Sequence, residues 1–218
     1  MYTHFLTLSV AISVLLNENV GQRNALLPYA RDLLGFFVRN AKRFYSDIFT
    51  VYNVHNLLHL CDDVENFRCS LNHLSAFPFE NHLQTLKKLV RNSNNPISQV
   101  AKRLTERRNA STGETKVSSH YKIVTNKERD RCFLTRREEY VFVLDETDAG
   151  YFCDVIHNRH VSSFFKQPCD SKLISVALVK SLNCAERKIL QKDDLYRKCV
   201  CLPFRDGLVC FPLLHGDD

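Results

Sequence analysis

The spacing of apolar residues changes once along this chain, and that change sets what the chain can fold into. Before residue 108 apolar residues recur at spacings of three and four. After residue 119 they come in short runs divided by turn residues. The stretch between, RNASTGETKVSS at 108–119, is polar and has no apolar period. Spacing of three and four buries one face of a helix, whereas short β-branched and aromatic runs make strands. The expectation is an α+β protein, with a helical domain at 1–108, a linker at 109–119 and a small antiparallel β barrel or sandwich at 120–218. A chain of 218 residues is long enough for one or two domains with a true core.

Five helices are expected, at 3–16, 22–45, 49–66, 79–91 and 96–107. The first is apolar over Phe5–Leu16 and ends at Asn17-Glu-Asn and Gly21. It has no basic leader and no small-x-small cleavage site, so a signal peptide is not expected. It is also shorter than the ~20 residues a membrane span needs. It reads as a buried helix, and the expected setting is intracellular, the nucleus ahead of the cytoplasm, with no membrane partner. In the second helix Leu26, Ala30, Leu33, Phe37, Ala41 and Phe44 share one face, and Gly35 would allow a close helix contact. Strand-like runs follow at 122–124, 132–134, 140–144, 151–156, 175–179, 198–202 and 208–211. Turn residues lie at 145–150 and 205–207, and Asp206-Gly207 is a hairpin signal.

Composition narrows the function classes. Hydrophobic residues make up 44% and charged residues 25%, as in an ordinary globular protein. With six glycines a phosphate-cradling loop has little support, and no G-x-S-x-G or RRM signature occurs. The nine cysteines are irregularly spaced without a C-x-x-C, which fits reduced thiols better than a disulfide framework. Cys199, Cys201, Cys210 and His215 form a zinc-type grouping whose spacing fits no common zinc module. Cys153, His157 and His160 invite a thiol-nucleophile reading, but nothing in the sequence supplies the activating base. The plainer reading is a core cysteine beside surface histidines.

The densest ionisable stretch is 53–104. His55 and His59 lie at i and i+4, with Asp62 and Asp63 one turn on. They form either a metal-binding cluster or a structural polar one. The Glu of an H-E-x-x-H site is missing, since Asn56 follows His55. Next comes Ser75-Ala-Phe-Pro-Phe-Glu80, where Pro78 can open a helix and Glu80 falls in its first turn. The plainer reading of Glu80 is a helix-start charge flanked by two core phenylalanines; the functional one is a carboxylate held by the packing of Phe77 and Phe79, a candidate for metal binding or acid–base work. From 87 to 108 the charge is one-sided. Lys87, Lys88, Arg91, Lys102, Arg103, Arg107 and Arg108 stand against Glu106 alone, giving +6, as large as the formal net charge of the whole chain. Such concentration is an electrostatic footprint for a polyanion, DNA or RNA, and a merely solvated basic face is the equal alternative. Asn95 is expected to cap the second basic helix, with Pro96 at its first position.

The run H-N-L-L-H-L-x-D-D-V, followed by A-F-P-F-E, then L-K-x-L-V-R and a basic helix, resembles the C-terminal region of CACTA (En/Spm-type) DNA transposases and of proteins derived from such elements. The resemblance is carried by His55, His59, Phe77, Pro78, Phe79, Glu80, Leu86, Lys87, Val90 and Arg91. It is densest over 53–104. It implies a transposable-element-derived protein of the nucleus that binds DNA. In that family a ribonuclease-H-like core holds two divalent ions, Mg or Mn, with three carboxylates. This chain opens directly in helices, so it resembles only the part after that core and is expected to be catalytically incomplete alone. Glu80 is its candidate catalytic carboxylate. Beyond DNA, the implied partners are the missing N-terminal core or a second copy of the chain. The alternative is a non-catalytic scaffold for protein partners.

Overall fold

Asn19 sets the first helical corner. Its side chain accepts a hydrogen bond from the Gln22 backbone N–H at 3.1 Å, satisfying one of the donors that a helix start leaves unpaired. The cap divides α1 (Tyr2–Leu15) from α2 (Val20–Phe44) in the computed structural model, which describes residues 1–110, 123 and 130–214. Gly21 therefore lies inside the second helix and does not end the first. Val10, Ala11, Val14 and Leu15 of α1 are buried, as are Leu27, Ala30, Leu33, Leu34, Phe37 and Ala41 of α2. Each large apolar side chain so enclosed contributes roughly 1.5–3 kcal/mol. Of the expected face, Leu26 and Phe44 are only half-buried. At Gly35 a Cβ would first meet the Arg39 guanidinium, at 3.1 Å, a side chain of its own helix.

His4 closes one end of this pair. Its ring stacks on Phe37 with centroids 4.5 Å apart. Its Nε2–H donates to the Phe37 carbonyl at 3.0 Å, and Nδ1 accepts from the Tyr45 hydroxyl at 3.3 Å. Both ring nitrogens are used in a neutral tautomer, and burial holds the His4 pKa below its ordinary value.

Residues 52–67 form one helical run. It comprises α3 (Tyr52–Asn56), a tighter 3₁₀ turn at Leu57–His59, and α4 (Leu60–Phe67), which ends at Arg68 with φ +54°. Cys61 and Val64 are buried. Arg31 of α2 pairs with Asp62 and with Glu65 of α4. A single turn, α5 (Leu71–Leu74), follows. Then come α6 (Phe77–Lys87) and α7 (Pro96–Ala110).

The remaining strands form one open, curled antiparallel sheet. They are β1 (Cys132–Leu134), β2 (Tyr140–Thr147), β3 (Gly150–Ile156), β4 (Ser162–Ser163), β5 (Ala177–Val179), β6 (Glu186–Leu190), β7 (Arg197–Phe204) and β8 (Gly207–Pro212), ordered β4-β5-β8-β7-β1-β2-β3-β6. Alternate side chains point to opposite faces, and here both faces are covered. Cys132, Leu134, Tyr140, Ile156, Cys199 and Cys210 share one core. Phe133, Val141, Val143, Cys153 and Val155 share the other. The Tyr140 hydroxyl donates to the Ser175 carbonyl at 2.8 Å, so its polar end is satisfied inside the core. The expected run at 122–124 falls outside the described residues except for Ile123, which packs on the second core.

The expected α+β order holds, but the compact units divide differently from the expected domains. Residues 1–73 pack with the β-rich part, and the other unit begins at Leu74. Within the first unit the Tyr29 hydroxyl of α2 donates to the Pro168 carbonyl at 3.0 Å. The expected linker at 109–119 starts inside α7, and its residues 111–119 lie outside the described residues.

Gly207 has a role the sequence did not suggest. The hairpin turn is Arg205-Asp206, and Gly207 is the first residue of β8, paired with Phe204. A Cβ at Gly207 would lie 2.5 Å from the Val179 carbonyl oxygen of β5. Gly207→Ala is therefore expected to destabilise the fold by about 1–3 kcal/mol, read as a lowered midpoint in urea. His4 makes a second expectation. Its folded pKa lies below the ordinary 6.5, so its contribution is complete above that value and is lost as pH falls below it. Between about pH 7.5 and about pH 5.5 the melting temperature of the natural chain should fall more than that of His4→Gln.

Candidate nucleic-acid interface

α6 and α7 are joined by a loop that Gln99 holds. Its Oε1 accepts from the Arg91 backbone N–H at 3.0 Å, and its Nε2 donates to the carbonyls of Asn92, at 3.1 Å, and Asn94, at 2.6 Å. Asn95 has φ +48°, a left-handed conformation and not the extended one of a capping residue. The loop is thus fixed from inside α7, and not by the expected Asn95 cap. Below it Leu86, Val90, Ile97, Val100 and Leu104 line an apolar groove of about 390 Å³.

The basic residues lie around this pair. Lys87, Lys88, Arg91, Lys102, Arg107 and Arg108 are exposed, and Arg103 is half-buried. Successive helical residues are about 100° apart, so the four cations of α7 spread over about 240° of its circumference. They make a charged collar, not a single stripe. Glu80 is exposed in the first turn of α6. The corner around it is not enclosed as core, since Phe77 is 56% and Phe79 74% exposed. The groove draws on Leu86, Lys87 and Val90, so the first turn of α6 lies beyond the contact with α7.

The histidine–aspartate cluster is not gathered into a site. The His55 and His59 rings are 5.5 Å apart and exposed. Asp62 is engaged by Arg31, whose hydrogen bond holds the Asp62 carboxyl below the usual carboxylate range. Its role is to tie α4 to α2, and Asp63 is half-buried beside it. Among the described residues, these four do not bring three ligand atoms together.

The thiol-nucleophile reading also finds no support. Cys153 is buried, its thiol donates to the Tyr151 carbonyl at 3.3 Å, and burial pushes it up to about 12. His157 pairs with Glu139 at 2.7 Å and Glu186 at 3.3 Å. A polar cleft of about 500 Å³ is lined by Arg136, Arg137, Arg197, Glu18 and Glu138. Arg136 and Arg197 stack on Tyr196 at 4.6 and 5.4 Å. Its charges nearly balance, so it has a weaker claim on a polyanion than the collar.

One grouping escaped the sequence in part. Cys132, Cys201 and Cys210 bring their sulfurs within 4.8 Å of one another. Cys201 and Cys210 were visible from spacing, whereas Cys132 enters only because β1 pairs beside β7. His215 lies outside the described residues.

No helix among the described residues is long and apolar enough to cross a membrane. No curated protein and no solved structure matches the chain. A family model described as a domain of unknown function (DUF8592) matches residues 92–213, from the loop before α7 to the end of β8. That match takes in more than half of the 218 residues, and the chain therefore belongs to the DUF8592 family.

Proposed function

We propose that this chain is the C-terminal part of a transposase-like, transposable-element-derived protein, and that it contacts the DNA backbone through the collar on α6 and α7. The observation that carries the reading is the one-signed charge. Seven cations face one acid between Lys87 and Arg108, and six of the seven are exposed. Cations presented this way exchange condensed counterions for phosphates, an interaction without direct sequence readout. Glu80 is one carboxylate where phosphoryl transfer by two divalent ions needs several. The chain alone is then a binding module and not a nuclease. Glu80 would serve only with carboxylates, and Mg or Mn, supplied by a preceding core.

A protein scaffold is the second reading, and the apolar groove between α6 and α7 favours it. Salt separates the two. Because the collar surrounds α7, a duplex would meet only some of the seven cations at once. Titration of labelled duplex DNA should give a slope of log K against log salt on the order of −3, at about −0.9 per phosphate neutralised. Replacing all seven cations by glutamine should weaken binding at least ~100-fold at low salt. Affinity that ignores both salt and the replacements would leave the scaffold reading in place.

A further inference from the structure

The sheet carries a second candidate site, independent of the nucleic-acid reading. Four of the nine cysteines stand on three adjacent strands. Register places Cys201 of β7 opposite Cys210 of β8. Phe133 pairs with Lys198 and Leu134 with Arg197, so the next step along β1 sets Cys132 against Cys199. All four face one core. We propose that Cys132, Cys199, Cys201 and Cys210 form a structural zinc site that ties β1, β7 and β8 together.

Distances favour a shared ion over a simple cysteine pair. Zinc–thiolate bonds of ~2.3 Å in a tetrahedron place sulfurs about 3.8 Å apart. Cys132 and Cys210 sulfurs are 3.9 Å apart, and those of Cys201 and Cys210 are 3.2 Å apart. A disulfide would join two of these sulfurs and leave the third without a role. The Cys199 thiol donates to the Arg197 carbonyl at 3.9 Å, and it supplies the fourth ligand by a side-chain rotation. The ligand class follows from the donors. Thiolate sulfur is soft and selects zinc over the hard cations that prefer oxygen.

Cys201 is the half-buried member of the four. It marks the side from which an ion enters. Each coordinating thiol releases its proton as its bond to zinc forms, and no electron moves.

The test uses the full chain, purified with a thiol reductant and dialysed against a weak chelator. Elemental analysis should find one equivalent of zinc. Cobalt(II) in its place should show the intense visible bands of tetrahedral thiolate coordination. Cys201→Ser and Cys210→Ser should lose the metal and the bands, while Cys184→Ser, at an exposed cysteine away from the cluster, should keep both. Should the serine variants fail to fold, alkylation of the natural chain decides. Zinc should slow modification of Cys201 at least ~10-fold and leave Cys184 unaffected. The proposal fails if the reduced chain folds without retaining zinc, if a Cys201–Cys210 disulfide persists in reductant, or if zinc leaves Cys201 alkylation unchanged.

Discussion

Three residues hold the sheet together. Cys132, Phe133 and Leu134 make up β1, which pairs with β2 on one side and β7 on the other. Without β1 the β2-β3-β6 ribbon and the β7-β8-β5-β4 ribbon would be separate. All three side chains are at most 4% exposed. Phe133 points into one core, and Cys132 and Leu134 point into the other. A two-sided strand this short cannot slip register, because a shift of one residue would exchange the contents of both cores. The backbone bond from Tyr196 N–H to the Leu134 carbonyl, at 3.0 Å, fixes where β7 begins.

Much of this was legible in sequence because period survives translation into structure. The apolar spacing of α2 marks its buried face, and the runs at 132–134, 140–144 and 151–156 coincide with β1, β2 and β3. What was missed has physical reasons. β6 reads Glu-Arg-Lys-Ile-Leu, and an edge strand with little burial does not alternate as an inner strand does. β4 has two residues and no pattern to read. Gln99 organises its loop through long-range side-chain geometry that no local turn rule encodes. Phe77 and Phe79 look like core residues by type, but hydrophobic identity does not oblige a side chain to be buried. Composition changes near 108, whereas the compact units divide at Leu74.

The candidate sites divide along the same line. The collar on α6 and α7 rests on charge, which is a property of sequence, so it could be found by counting. The thiol cluster rests on register, since Cys132 is 67 positions from Cys199 and meets it only through pairing of β1 with β7. The family match adds a third view. It begins at residue 92 and so joins α7 to the sheet in sequence, while packing joins α7 to α6. The helices before residue 92 lie outside it. A basic helix is thus the part of the collar that travels with the β-rich region.

The two borders of the sheet are unlike its middle. At one border stand Glu186, Arg187 and Lys188 of β6; at the other, β4 offers two residues. A strand arriving from another molecule would have to dock beside ionised side chains at the first and would find almost no ladder at the second. The curl therefore does not need to close on itself to be finite. Charge at one border and brevity at the other leave neither with the long, bare ladder on which strands stack.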